Sequence, residues 1–238
     1  MTEDALVIVL SGGQDSTTCL FWAKQQHPDA ALHTVVFDYG QRHTRELEAA
    51  EAVAKLAGVA SHRVVRIPDV LRSASPLVSA SELETYSDAA AMDQVIGNRI
   101  EKTFVPLRNP LFLIIAANYA LSLGARAVVT GVCAMDEANY PDCRPGFLNS
   151  MELMLQLALG NDSQPQLWAP LLYKTKAETV RLAQQVGALP ALAYSHTCYA
   201  NEYPPCGQCH ACLLRAAGFA AVSTPDPLIE RAKEEGLL

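Results

Sequence analysis

Ala5 to Leu10 is an unbroken apolar run rich in β-branched residues, followed at once by Ser11-Gly12-Gly13. A short, continuously apolar segment of this kind is a strand buried on both faces. Thr17 to Lys24 can continue as a helix. Leu32 to Phe37 reads as a second strand that ends at Asp38-Tyr39-Gly40. Between Arg45 and Ala57 the residues Leu47, Ala50, Val53, Ala54 and Ala57 recur at helical spacing, and Gly58 stands where such a helix should stop. His62 to Ile67 is a third strand, closed by Pro68. Strands alternating with helices predict an α/β fold with a doubly wound parallel sheet.

The pattern weakens over 68–102, where Ser, Ala, Asp and Pro suggest loops with short helices, read as an insertion over the sheet edge. A long apolar helix is expected from Leu111 to Leu123, ending at Gly124, and a fourth strand over Ala127 to Thr130. A polar loop spans Gly131 to Gly146. A helix follows from Phe147 to Leu159, then a fifth strand over Gln166 to Ala169. Thr175-Lys176-Ala177-Glu178 is a capping box that starts a helix ending near Gly187. The expected organisation is an α/β domain over 1–190 and a cysteine-bearing module with a tail over 191–238. Ligands of such sheets bind beyond the carboxyl ends of the strands. The segments 11–16, 38–43, 131–146 and 170–176 should therefore converge on one mouth.

Composition narrows the class. Of 238 residues, 50% are hydrophobic and 18% charged, which suits a globular protein with a sizeable core. No apolar run approaches the roughly 20 residues needed to cross a bilayer, and Glu3 and Asp4 stand where a signal peptide would be basic. A soluble, cytoplasmic protein with no membrane partner is expected. The net charge of −7 weighs against a nucleic-acid partner, although a local basic patch would fit within that total.

Two stretches carry chemistry. A strand, a glycine turn and a helix start bring backbone N–H groups and a positive helix end to one point, which is an anion site. No Gly-Lys-Ser/Thr closes the turn, so it is not a Walker A loop, and an ordinary strand-to-helix turn has the same residues. Cys198, Cys206, Cys209 and Cys212 are spaced C-x7-C-x2-C-x2-C. The x2 gaps let thiolates face one ion, and four of them fill the shell of a structural zinc. An iron–sulfur cluster or plain thiols are the alternatives. His196 and His210 are spare ligands beside an already complete shell. Cys19 is expected in the core. Cys133 and Cys143 flank the polar loop without a visible base to activate them.

Leu10-Ser-Gly-Gly-Gln-Asp-Ser-Thr-Thr-Cys19 resembles the PP-loop of the N-type ATP pyrophosphatases, a group with a HUP-like Rossmannoid sheet. Phe37-Asp-Tyr-Gly-Gln-Arg-His43, Gly131-Val-Cys133, Tyr140-Pro-Asp-Cys-Arg144, Lys176-Ala-Glu178 and Thr197-Cys-Tyr199 make the resemblance more selective. Together they resemble the 7-cyano-7-deazaguanine synthase family of the queuosine precursor pathway, over about 5–220.

The resemblance implies a C–N ligase that consumes 7-carboxy-7-deazaguanine, ammonia and ATP. It implies nucleotide contacts by Leu10, Ser11, Gly12, Gly13, Gln14, Asp15, Ser16 and Thr17, with Val36 and Phe37 framing the adenine. Asp15 would help hold Mg2+, a hard cation suited to carboxylate and phosphate oxygens. Lys176 would face the phosphates, although a lysine in a first helical turn is commonly just solvated. Asp15, Lys176, Arg108 and Asp136 are the catalytic candidates. Arg108, Asn109, Asp136, Tyr140, Asp142 and Arg144 are the substrate candidates, with loop salt bridges as the plain alternative. One structural Zn2+ per chain completes the set, and a homodimer is compatible with the resemblance. Two departures stand out. Leu107 replaces the family's usual glycine before Arg-Asn, and Ala134-Met-Asp-Glu-Ala-Asn139 replaces Glu-Thr-Asp-Phe-Ser-Gly.

Overall fold

In the computed structural model, which describes residues 4–133, 140–160 and 164–238, strands β1 (Ala5–Val9), β2 (Ala31–Asp38), β3 (Ser61–Arg66), β4 (Ala127–Val129) and β5 (Gln166–Trp168) form one parallel sheet. Its order is β3-β2-β1-β4-β5. The chain winds outward from β1 in one direction and then crosses to its other side, so the switch point lies between β1 and β4. Helices α1 (Gln14–Gln26), α2 (Arg45–Ala57), α3 (Ala89–Ile96), α4 (Arg108–Leu123), α5 (Pro145–Leu159), α6 (Lys176–Gln185), α7 (Leu189–Leu192), α8 (His210–Ala221) and α9 (Pro227–Glu234) surround it.

Alternation along the strands sorts the core into two layers. Leu6 and Ile8 of β1 and Val36 of β2 pack under α1 and α2 with Leu20, Ala50 and Val53. Val7, Val35 and Phe37 face the opposite way, toward Leu113 and Ala117 of α4 and Met151 and Leu155 of α5. Both faces are covered, which is why the strands read as continuous apolar runs. A third cluster joins Val180 and Ala183 of α6, Leu192 of α7 and Phe219 of α8.

Three helix starts differ from the sequence reading, that of α5 by two residues, at Pro145 rather than Phe147. α1 begins at Gln14, so Asp15 and Ser16 sit in its first turn. α4 begins at Arg108 rather than Leu111. Pro110 is its third residue, where the missing N–H is one of the donors that a helix start leaves unpaired anyway. In the 68–107 segment, Leu71 and Val78 pack on the α4–α5 layer. Tyr86, Met92 and Ile96 pack instead against Leu213 and Leu214 of α8.

Candidate active site

The segments leaving β1, β2 and β4 meet above the switch point, as the topology requires. Gly13 is the N-cap of α1, and its first turn has no side-chain cap, so its N–H groups point outward for an anion. Ser11 Oγ and Ser16 Oγ lie 3.1 Å apart across the turn. Ser16 Oγ also donates to Gly13 O at 3.3 Å. Gly12 has φ +81°, and a Cβ on it would fall 2.4 Å from Glu46 O, so only glycine lets the loop lie against α2. From the far side of the chain, His196 N–H donates to Gly12 O at 2.8 Å.

Lys176 is the first residue of α6, set by the Thr175–Glu178 capping box. Its Nζ reaches Asp15 Oδ2 at 2.7 Å while the residue is only 9% exposed. Asp15 Oδ1 is buried without a hydrogen-bond partner. A buried carboxylate oxygen beside uncapped helix N–H groups suits a divalent cation carried in on phosphate oxygens.

These groups line one cleft with Tyr39, His43, Arg108, Asn109, Thr130, Cys143 and Thr197. Arg108 Nη1 donates to Tyr39 Oη at 3.4 Å. Burial pushes the Tyr39 phenol up to about 12, against the pull of Arg108, so it stays protonated at neutral pH. Asp142 is buried, and burial pushes its carboxyl up while Arg108 and hydrogen bonds from Asn109 draw it down. Its Oδ2 has no partner. Asn109 Nδ2 donates to Asp142 O at 3.3 Å, which ties α4 to the turn at Pro141–Cys143. His210, at the start of α8, is pushed down to about 4 by burial and by Lys176, so its ring is neutral at neutral pH.

The four cysteine sulfurs of 198, 206, 209 and 212 all lie within 4.8 Å of one another. Cys206 Sγ and Cys212 Sγ are 3.9 Å apart, close to the ~3.8 Å edge of a tetrahedron built on zinc–sulfur bonds of about 2.3 Å. Backbone N–H of Cys206 donates to Cys198 Sγ, and that of Cys209 to Cys206 Sγ, both at 3.4 Å. Hydrogen bonds from Cys209 and Cys212 hold the Cys198 thiol well below its ordinary range. Such a donor set fits a soft or borderline metal ion.

Among the expected nucleotide residues, Ser11, Gly13, Gln14, Asp15 and Ser16 line the cleft. Leu10 and Val36 are core residues of the α1–α2 layer, and Thr17 is buried within α1. Phe37 stacks on Phe112 at 4.0 Å in the other layer. Val9 of β1, and Tyr39 and His43 in the segment after β2, reach the cleft. Among the substrate candidates, Arg108 and Asn109 line the cleft. Tyr140 is buried, hydrogen-bonded to Thr103 Oγ1. Arg144 is exposed at the N-cap of α5, and Asp136 lies outside the described residues. Cys19 is buried in the core, donating to Thr130 O at 3.6 Å. Tyr39, His43 and Thr130 were not among the candidates. Their signal is positional, since each stands at or just beyond the carboxyl end of a strand.

Residues 5–223 match the family described as queuosine biosynthesis protein QueC. The chain belongs to the QueC family. Two relatives within it are named 7-cyano-7-deazaguanine synthase. The one from Chromobacterium violaceum is 48% identical over 98% of this chain and 97% of its own. The one from Laribacter hongkongensis is 47% identical over 96% of this chain and 95% of its own. The fold is wider than the family. A U34-tRNA thiolase, NcsA, from Methanococcus maripaludis, solved with its [4Fe-4S] cluster, superposes with a TM-score of 0.50 at 15% identity. That likeness covers 98% of this QueC chain and 72% of the thiolase, and it concerns the fold alone.

Proposed function

We propose that this chain converts 7-carboxy-7-deazaguanine and ammonia into 7-cyano-7-deazaguanine, a C–N ligase reaction driven by cleavage of ATP to AMP and pyrophosphate. The observation that carries the reading is the Lys176–Asp15 pair, 2.7 Å apart beside the uncapped start of α1. A fixed cation, a carboxylate with a free oxygen and a row of N–H groups suit a departing pyrophosphate.

A carboxylate is a poor electrophile, and its oxygen leaves badly. Its attack on the α-phosphorus of ATP expels pyrophosphate and gives an acyl adenylate. Ammonia then attacks the acyl carbon and AMP leaves, giving a primary amide and releasing a proton. The amide oxygen attacks a second ATP, again expelling pyrophosphate. Loss of AMP and of both remaining N–H protons leaves the nitrile. Each step asks the protein mainly for positioning and charge stabilisation.

In this reading Ser11, Gly12, Gly13, Asp15 and Ser16 cradle the pyrophosphate, and Lys176 neutralises it. Asp15 would hold Mg2+, which supplies further neutralisation on the phosphate oxygens. Val9 and Tyr39 frame the adenine. Arg108 pairs with the substrate carboxylate, and Asp142 with its unpartnered Oδ2 accepts from the guanine-like N–H edge. Asn109, Tyr140 and Arg144 support that wall, and Asp136 is assigned to it from its motif. Cys198, Cys206, Cys209 and Cys212 would hold one structural Zn2+, which supplies folding energy rather than chemistry because four thiolates leave no open position.

Nucleotide analysis tests the reading. Two AMP and two pyrophosphate per nitrile are expected, dependent on both the deazaguanine acid and ammonium. ADP and orthophosphate as the nucleotide products would contradict it.

A further inference from the structure

Gly218 is buried in the interior of α8 and faces the first turn of α6. A Cβ on it would lie 3.0 Å from Lys176 Cβ, 3.2 Å from Lys176 O and 3.3 Å from Lys176 C. Glycine is a poor residue for a helix interior, so its presence here needs a local cause. The close approach to the Lys176 backbone supplies one. Nothing in the zinc-ligand spacing or the PP-loop motif calls for glycine at this position.

The rest of this face of α8 bears on the same site. Arg215, one turn earlier, is buried and forks onto Asp226 at 2.6 and 2.7 Å. The same guanidinium donates to Ser195 Oγ at 2.8 Å and to Thr197 Oγ1 at 3.1 Å. Between them, His196 N–H reaches Gly12 O of the PP-loop. α8 is thus fixed on one side to the 195–197 segment that meets the loop, and on the other it abuts the residue that reaches Asp15.

We propose that Gly218 is a positioning residue for Lys176, and that its missing side chain sets how far the lysine reaches over the PP-loop. The inference rests on the reading of Lys176 as the cation facing the phosphates. A methyl group at 218 would drive the start of α6 back by a few tenths of an ångström. The Lys176 ammonium would move with it, away from a contact that is now 2.7 Å long. Displacements near 1 Å in such sites cost about a hundredfold in rate, so about a three- to tenfold loss is expected here.

The test is a kinetic cycle in the intact chain, following pyrophosphate release with ATP varied at saturating acid and ammonium. Gly218→Ala should lower kcat/KM for ATP about three- to tenfold, leave KM for the acid near the parent value, and barely move Tm. Helix propensity favours alanine while overpacking opposes it, and the two offset. Gly218→Ser carries the same Cβ with a hydroxyl able to bond back to the preceding turn, and should show the same loss. Ala217→Gly, on the exposed face, should lower Tm through helix propensity and leave kcat/KM for ATP unchanged. In a Lys176→Ala background, Gly218→Ala should cause no further loss. The inference is overturned if the two losses multiply in the double variant, or if both substitutions at 218 keep parental ATP kinetics. Should Lys176→Ala alone keep parental kinetics, the reading of Lys176 fails instead.

Discussion

Lys176 Nζ lies 2.7 Å from Asp15 Oδ2, although 161 residues separate them in the chain. The pair joins the first turn of α6 to the first turn of α1, on either side of the anion site that α1 opens. Removing the ammonium should remove charge stabilisation of the departing pyrophosphate and leave the acid-binding wall untouched. Lys176→Ala is therefore expected to lower kcat/KM for ATP by about 10² to 10³, with KM for the acid within about twofold. Steady-state pyrophosphate release with each substrate varied in turn checks this.

Metal at the cysteine cluster should be felt in stability first. Metal bound only by the folded state adds directly to folding free energy. Elemental analysis is expected to find one zinc per chain. Cys206→Ser should abolish it and lower Tm by roughly 6–12 °C, the shift for about 3 kcal/mol in a chain of this size. The same variant should raise KM for ATP, because the cluster includes the N-cap (Cys209) and first turn (Cys212) of α8 and is preceded by the 195–197 segment that meets Gly12.

Leu107 sits at φ 63°, ψ 10°, and is 71% exposed at the N-cap of α4. Left-handed backbone costs a branched side chain about 1–2 kcal/mol, and little burial offsets it here. Leu107→Gly restores the residue usual at this point. It should raise stability by about 0.5 kcal/mol, the strain relieved less the extra chain entropy glycine has when unfolded. Urea midpoints at constant m-value measure the difference.

Glu84 binds Lys102 Nζ at 2.7 Å and also pairs with Arg99. Burial works to raise its carboxyl, but hydrogen bonds from Lys102, Arg99 and Tyr86 prevail and bring it down to about 2. A depressed folded-state value means that the stabilisation is fully present above the unfolded value of about 4.3 and is lost as pH falls toward about 2. Glu84→Gln should then destabilise by about 1–2 kcal/mol at pH 7, a figure already reduced for its partial exposure. The gap to the parent should shrink steadily below pH 4. Urea melts across pH 3–7 check the sign.

Much of this molecule is legible in the bare sequence. The strands of the sheet are short apolar runs bounded by turn residues, and α2 ends at Gly58 with φ 70° as its spacing implies. The PP-loop and the cysteine quartet are local patterns, so their geometry follows from contiguous residues. Three things were hidden. Val36 and Phe37 end an apolar strand beside the expected site, but alternation sends one into each core layer, and Tyr39 beyond them reaches the cleft. The Asn109-Pro110 pair reads as a helix break, although a proline in the first turn is tolerated. The docking of Met92 and Ile96 on Leu213 and Leu214 links segments over a hundred residues apart and leaves no periodic trace in either.

In the proposed reaction both activations occur in this one cleft, first of the acid and then of the amide. Mass spectrometry of the product from 7-carboxy-7-deazaguanine, ammonium and Mg-ATP tests it most directly. The prediction is 7-cyano-7-deazaguanine, with the amide rising and falling as an intermediate. Amide that persists at excess ATP, with no nitrile formed, would contradict it.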